Sequence, residues 1–112
     1  MKLITATIKP MKLEDVCTAL TNIGITGLTV TEVQSYDHQH GKDYVFRGTE
    51  HAMHFQLKLK IEIPCSDDLV DQVMEAIISA AQTGRIGDGK IFVSDIGQVV
   101  RIRTRETGSD AI

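Results

Sequence analysis

The sequence predicts an α+β domain in which two helices pack on one face of a single sheet. Strand-like segments show apolar residues at every second position, and helix-like segments show them at intervals of three and four. Along the 112 residues these segments follow the order strand, helix, strand, strand, helix, strand. That order is typical of the split βαβ, or ferredoxin-like, arrangement. We therefore expect one ferredoxin-like βαββαβ domain over residues 1–112, with a long loop between strands 2 and 3.

The first three elements are visible in the first third of the chain. Residues 4–8 alternate apolar and polar side chains, and Pro10 ends this strand because proline has no N–H to donate to a sheet. From Leu13 the apolar residues lie on one helical face until Gly24 stops the helix. Residues 28–33 are rich in β-branched side chains and predict the second strand.

A polar segment from about residue 37 to residue 54 has no sustained periodicity. It contains all four histidines of the chain and is much longer than a tight hairpin turn. Loops of this length are usually functional or mobile. We expect a flexible loop that contributes to function.

The strongest strand signal is Phe55–Ile63, where apolar and polar residues alternate without exception, so that one face is predicted to be core and the other solvated. Pro64 closes the strand, and Ser66 or Asp67 is placed to cap the following helix. A broad apolar stripe from Leu69 to Ala81 predicts that second helix.

Two more extended segments complete the chain, at residues 91–93 and 99–103, the latter within a C-terminal arm of about residues 97–112. Right-handed crossovers place both helices on one face of the sheet. The opposite face needs a cover, which self-association would supply.

Composition excludes several classes of function. A net charge of −3 with evenly mixed signs gives no basis for nucleic-acid binding. Two cysteines without a Cys-x-x-Cys spacing predict thiols rather than a disulfide framework or a cysteine zinc site. No long apolar stretch is present, so we expect a cytoplasmic protein without membrane insertion. No nucleophile-and-base motif is present either, which argues against an enzyme.

The Gly84–Lys90 loop is the first candidate site, with three glycines, an arginine and a lysine in the turn that leaves the second helix. Glycine lets backbone N–H groups approach phosphate oxygens. The alternative is an ordinary helix cap followed by a tight turn.

A row of arginines, Arg101, Arg103 and Arg105, follows at every second position, so an extended segment would present them on one face. Guanidinium groups bind phosphate with two parallel hydrogen bonds. A solvated edge strand would also tolerate them. Considered together, the glycine loop and the arginine row favour a phosphate site.

Lys58 and Glu62 lie on the polar side of the strand after the long loop. The lysine is suited to a ligand carboxylate and Glu62 to a nucleobase amino group, although simple surface solvation explains both. In the loop itself, His38-x-His40 and His51-x-x-His54 suggest a transition-metal site, against the alternative of a polar loop with chance histidines.

With these residues identified, the whole chain resembles the nitrogen-regulatory signal-transduction proteins of the P-II family. Several long motifs occur in the family's order. They are Ile8–Pro10, Gly24–Gly27, Thr29–Val33, Lys58–Ile63, Asp67–Asp71, Thr83–Val93 and Val100–Thr104.

The resemblance implies a homotrimer with ATP or ADP in the clefts between neighbouring subunits. It implies phosphate contacts from Gly87, Asp88, Gly89, Lys90, Arg101 and Arg103. It implies adenosine contacts from Gly27, Leu28, Thr29, Glu62, Ile63 and Pro64, with His38 also beside the nucleotide. It further implies 2-oxoglutarate bound through Mg²⁺ on Gln39, through Lys58 and through the loop at His40 and Gly41.

Proteins of this kind act by docking the long loop onto transporters, enzymes or regulators. Arg47 is compatible with an ammonium-transporter target, which would bring the protein to the membrane. The loop departs from the family at His38 and His40, and also at His51, where many members have a modifiable tyrosine. An imidazole cannot replace that phenol, so the tyrosine switch should be absent. Thr49 lies where some members carry a phosphorylated serine.

The leading hypothesis is therefore a P-II-type sensor of nitrogen, carbon or energy status. One alternative is a metal-responsive variant in which loop histidines bind a transition metal and the partner handles metal. Another is a small phosphate-handling enzyme on the same sheet arrangement.

Overall fold

The computed structural model describes residues 1–36 and 55–112. The long loop predicted at about residues 37–54 falls outside the described residues. With it lie the loop residues named above, His38, Gln39, His40, Gly41, Arg47, Thr49, His51 and His54. Their predicted roles stay predictions.

All six predicted elements are present, in the predicted order. They are β1 Lys2–Ile8, α1 Leu13–Asn22, β2 Thr29–Tyr36, β3 Phe55–Cys65, α2 Val70–Ala81 and β4 Lys90–Asp95. Short 3₁₀ helices cover Pro10–Lys12, Asp67–Leu69 and Gly108–Ala111.

The four strands form one antiparallel sheet in the order β2-β3-β1-β4. Its register places Ile4 opposite Ile63 and Ala6 between Ile61 and Ile91. This strand order and the element order confirm the ferredoxin-like α+β fold.

Both helices pack on the same face of the sheet and against each other, because each presents its apolar stripe to the alternate apolar residues of β1 and β3. In the described part of the chain, the fully buried side chains come from these four elements. They include Ile4, Ala6, Ile8, Val16, Leu20, Ile61, Ile63, Val73 and Ile77.

The sequence predicted how α1 ends and how α2 begins, and the structure confirms the first prediction but not the second. Gly24 has a φ of +92°, the left-handed conformation that ends helices, as predicted for α1. The predicted side-chain cap before α2, Ser66 or Asp67, is wrong. The Ser66 hydroxyl donates to the Asp68 carboxylate at 2.6 Å, Asp67 Oδ1 accepts from the amino group of Met1 at 2.7 Å, and neither side chain makes a capping hydrogen bond to the described residues. A 3₁₀ turn precedes the helix instead.

Strand β3 departs from its predicted division into a core face and a wet face. Phe55 and Leu57, on the predicted core side, remain 53% and 51% exposed because the core cluster begins only at Leu59. Lys58, on the predicted wet side, is only 6% exposed. Among the described residues, Gly87 in the glycine loop contacts its ammonium group.

The segment after β4 is not the further strand that the alternating arginines predicted. Residues 102–104 form a turn, closed by hydrogen bonds from Arg101 N to Glu106 O and from Arg105 N to Arg101 O, both 2.8 Å. Arg105 adopts a φ of +64°, and within residues 1–36 and 55–112 the strand pairing of this segment is limited to one bridge between Val100 and Thr107. Alternation every second residue does not place side chains on one face in a turn, so the predicted arginine row does not exist.

Two further predictions concern the thiols and the membrane. Cys65 is buried and Cys17 half-buried, and both are free thiols. Across residues 1–36 and 55–112, neither helix has the length and apolar character needed to span a bilayer.

Candidate functional site

The Gly84–Lys90 loop connects α2 to β4 and lies against the ends of β1 and β3. It forms one wall of a pocket of about 600 Å³. The other described residues around this pocket are Thr7, Ser35, Tyr36, Lys58 and Phe92. The loop therefore faces a cavity large enough for a small ligand.

Two glycines of the loop have conformations that the packing requires. Gly89 has a φ of +105°, and a Cβ added there would lie 1.7 Å from the carbonyl oxygen of Thr7 in β1. Gly87 has a φ of +97°, and its added Cβ would lie 3.3 Å from Lys58 Nζ. The glycines thus let the loop backbone touch the sheet, which an ordinary turn would not need.

Asp88, between these glycines, turns its carboxylate back onto the start of the loop. Oδ2 accepts from Thr83 N at 2.8 Å and from Gly84 N at 2.9 Å, and Oδ1 accepts from Thr83 Oγ1 at 2.5 Å. These hydrogen bonds, first that of the Thr83 hydroxyl, hold the pKa of Asp88 well below its usual range. The side chain therefore stabilises the loop.

Lys9 completes this arrangement, and reasoning from the sequence did not single it out. Its Nζ lies 3.1 Å from Asp88 Oδ1 and donates to Thr83 Oγ1 at 3.2 Å. Lys9 follows β1 and is 74 residues from Thr83 in the chain. No local pattern marks a contact between such distant segments, so only the fold reveals it.

Lys58 contacts the same loop from β3. Its ammonium group donates to the carbonyl oxygen of Gly87, and the side chain is largely buried between the sheet and the loop. Sequence reasoning singled out Lys58 as a cation for a ligand carboxylate. The structure adds that it supports the loop.

The pocket carries a local excess of positive charge. Among its described lining residues, Lys58, Arg85 and Lys90 are cationic and Asp88 is the one carboxylate. Because Lys9 pairs with that carboxylate, the local field favours an anion although the chain has a net charge of −3. Backbone N–H groups in a glycine loop, together with lysine and arginine, suit phosphate oxygens.

A second pocket of about 550 Å³ lies near the other end of β3. Its described lining includes Gly27, Leu28, Thr29 and Pro64, four of the residues expected around adenosine. Glu62 stands opposite Thr29 in the sheet register, whereas the Ile63 side chain belongs to the core. Lys58 and Pro64 are six positions apart in β3, which is about 20 Å in a strand. Within one chain, the pocket at the glycine loop and the pocket near Pro64 share none of their described lining residues.

The arginines predicted to complete the phosphate site are also apart from the loop. Neither Arg101 nor Arg103 lines the pocket at the glycine loop. Arg101 instead pairs with Glu106, Nη1 to Oε1, at 3.0 Å within its own turn. One subunit therefore does not bring the glycine loop and the arginines together.

The metal hypothesis finds no support in the part of the chain that the structure describes. No group of three or more histidine, cysteine or acidic side chains in residues 1–36 and 55–112 is arranged to hold a metal ion. The four histidines that motivated it lie in the loop outside those ranges.

The fold and the site define a small ferredoxin-like protein with an anion-suited glycine loop at one end of its sheet. The sequence model of the family described as "Nitrogen regulatory protein P-II" matches residues 1–106. The chain belongs to that family, whose members are regulatory signalling proteins rather than enzymes.

Similar proteins support this assignment along the whole chain. A "Nitrogen regulatory protein P-II" of Rhizobium etli is 57% identical over 112 residues, covering 100% of both chains. The protein of the same description from Pasteurella multocida is 54% identical over the same length and coverage. So is "Nitrogen regulatory protein P-II 1" of Escherichia coli strain K12.

Proposed function

We propose that this P-II protein senses ATP and ADP, and 2-oxoglutarate together with Mg²⁺ and ATP, and regulates partner proteins through its long loop. The observation that carries the proposal is the cationic pocket walled by the Gly84–Lys90 loop. P-II proteins bind these ligands, form trimers and regulate partner proteins. The protein acts as a sensor and does not turn over its nucleotide.

The phosphates of the nucleotide bind at the glycine loop. Gly87 and Gly89 bring the backbone close to the cavity, Lys90 adds a charge, and Asp88 holds the loop in shape. These features together favour a polyphosphate over a neutral ligand.

The nucleotide lies between two copies of the chain. The adenosine pocket near Gly27–Thr29 and Pro64 lies about 20 Å along β3 from Lys58, which contacts the loop that holds the phosphates. A neighbouring subunit that sets its own half-site against this one removes the gap and brings in Arg101 and Arg103. The outer sheet face supports such an assembly, since Phe92 on β4 is 58% exposed there.

2-Oxoglutarate binds beside the γ-phosphate, with a carboxylate on Lys58. The lysine lies at the pocket and touches the phosphate loop, so one side chain links the two ligands. By family resemblance Gln39 carries Mg²⁺, while His40 and Gly41 contribute loop backbone and His38 lies beside the nucleotide.

The partner is a membrane transporter or a regulated enzyme of nitrogen metabolism that the long loop contacts, with Arg47 among the contact residues. The protein itself is cytoplasmic and reaches the membrane only through a transporter.

Complementation between two defective variants tests the shared cleft. Lys90→Ala damages the half-site at the glycine loop, and Arg101→Ala with Arg103→Ala damages the opposite half. Each variant should bind ATP weakly in isothermal titration calorimetry. Refolding an equal mixture should restore tight sites, because some clefts then combine two intact halves.

The controls are each variant refolded alone and wild type refolded at the same concentration. An absence of ATP and ADP binding by wild type at millimolar nucleotide would refute the sensor proposal. Tight wild-type binding with no recovery in the mixture would place both halves in one chain and refute the shared cleft.

A further inference from the structure

The carboxylate of Asp88 poses an electrostatic problem at the glycine loop. It lies between Gly87 and Gly89, the two residues whose backbone approaches the pocket. A negative charge there repels an incoming phosphate unless a cation compensates it. The compensating cation must also hold the Asp88 carboxylate in an orientation that points away from the ligand.

Lys9 meets both requirements. Its ammonium group lies 3.1 Å from Asp88 Oδ1, and both side chains are about three-quarters or more shielded from solvent, at 20% and 24% exposure. Its Cε would lie 3.7 Å from a Cβ at Gly87, so its stem also packs behind the loop. The Lys9 carbonyl accepts from Lys12 N at 2.9 Å and Pro10 follows, which restricts the backbone that carries the side chain.

The Thr83 hydroxyl contacts both charged groups, Lys9 and Asp88, and all of its hydrogen-bonding positions are occupied. Its single proton goes to Asp88 Oδ1, and its oxygen accepts from Lys9 Nζ at 3.2 Å and from Arg85 N at 3.1 Å. One donor and two acceptor positions are all that a hydroxyl offers. The side chains of Lys9, Thr83 and Asp88 therefore form one closed network, which we call the loop clamp.

We propose that Lys9 is a positioning residue of the nucleotide site: through the loop clamp it neutralises Asp88 and holds the loop in its anion-accepting shape. This inference rests on the proposed nucleotide binding and assigns a role to a residue outside the predicted phosphate contacts. The residue supports binding from behind the loop.

The clamp makes a specific prediction about charge. Lys9→Met keeps the length of the side chain but leaves Asp88 uncompensated, so ATP affinity should fall about tenfold at low salt. The loss should be smaller for ADP and smaller at high ionic strength, because repulsion depends on ligand charge and screening.

Adding Asp88→Asn to Lys9→Met should restore most of the affinity. The amide oxygen that the substitution introduces can accept from Thr83 N and Gly84 N, and the new NH₂ group can donate to the Thr83 hydroxyl oxygen in the position that Lys9 vacates. The pair of neutral residues thus keeps the two backbone hydrogen bonds to residue 88 and a reversed hydrogen bond to Thr83, without the repulsive charge. Lys9→Arg should also retain binding, since it keeps the charge.

Calorimetry with ATP and ADP at two salt concentrations measures these effects. Lys12→Met is the matched control, since it removes the same charge three residues along the chain. Thermal unfolding of every variant, at one protein concentration, checks that each is folded.

The clamp is supported if ATP affinity recovers in the Lys9→Met, Asp88→Asn double variant and changes little in Lys12→Met. Equal affinity of wild type and Lys9→Met overturns it while leaving nucleotide binding intact. A folded double variant as weak as Lys9→Met also overturns it, because a loss independent of the Asp88 charge would mean a merely structural lysine. No binding by wild type would overturn the proposed function and this inference with it.

Discussion

Lys58 in β3 donates a hydrogen bond to the carbonyl oxygen of Gly87, in the loop that follows α2. The contact joins β3 to the loop at the pocket, and it involves a lysine that is buried on a strand face predicted to be wet. A ligand that draws the ammonium group toward its own carboxylate must compete with this contact. Under the proposed function, Lys58 would make phosphate binding and carboxylate binding depend on each other.

Lys58→Met should weaken ATP binding and abolish the response to 2-oxoglutarate. A hydrogen bond to a charged group contributes about 1.5–3 kcal/mol, so the loss at the loop should be about tenfold or more in affinity. The folded state should remain, because a buried methionine replaces the lysine stem with similar volume. Calorimetry with ATP, with and without 2-oxoglutarate, measures both effects.

The matched control is Lys60→Met, two residues along the same face of β3. It removes an equal charge without touching the described loop contact. If Lys60→Met weakened ATP binding as much as Lys58→Met, general charge rather than the Gly87 contact would explain the effect.

Gly89→Ala should destabilise the protein far more than Gly84→Ala. Both glycines have positive φ, +105° and +82°, so substitution at either introduces a backbone strain of about 1–3 kcal/mol. At Gly84 the added Cβ meets no atom of the described residues within 4 Å, whereas at Gly89 it meets the Thr7 carbonyl oxygen at 1.7 Å. Urea unfolding at equal protein concentration should separate them by at least about 2 kcal/mol. Equal losses would show that the loop does not contact β1 in solution.

Acid should remove the stabilising contribution of Asp88. Its pKa is lowered in the folded state by the hydrogen bonds from Thr83, by Lys9 and by the Gly84 N–H. A group with a lowered folded pKa stabilises the protein above its unfolded pKa of about 3.9, and that contribution is lost as pH falls through the folded value. The stability gap between wild type and Asp88→Asn should therefore be constant near neutral pH and shrink below about pH 4.

Denaturant midpoints measured from neutral pH to below about pH 3 check this expectation. Asp15→Asn, an exposed carboxylate on α1, serves as the control for general acid effects. If the stability difference between wild type and Asp88→Asn grew as pH fell, the folded-state pKa of Asp88 would be raised rather than lowered, which would contradict the assigned hydrogen bonds.

Arg105→Gly and Arg103→Gly should have opposite effects if residues 102–104 form a turn. Arg105 holds a φ of +64°, a conformation that costs a non-glycine residue about 1 kcal/mol and that glycine adopts freely. Arg105→Gly should thus be neutral or stabilising, while Arg103→Gly should destabilise by about 0.5–1 kcal/mol through added chain entropy. Chemical unfolding measures both changes. Similar losses in both variants would favour the extended segment that alternation predicted.

Sequence patterns predicted much of the fold because the signals are local. The alternation in β1 and β3 and the apolar stripes of α1 and α2 follow from the periods of the two structures, and Gly24 acts through its own backbone. The same reasoning failed at residues 101–105, where turn hydrogen bonds to Glu106 overrode the alternation. It failed again at Phe55 and Leu57, because the alternation does not show how far the helices cover a strand.

The sequence by itself therefore determined the six elements, their order and the glycine loop as a candidate site, since each depends on residues close together in the chain. Only the tertiary structure decided that Lys9, Asp88 and Thr83 meet, that Gly89 lies against Thr7, and that Lys58 supports Gly87. It also separated the glycine loop from Arg101 within one subunit. These relationships arise where distant segments pack, because side-chain contacts depend on positions in space that local periodicity does not specify.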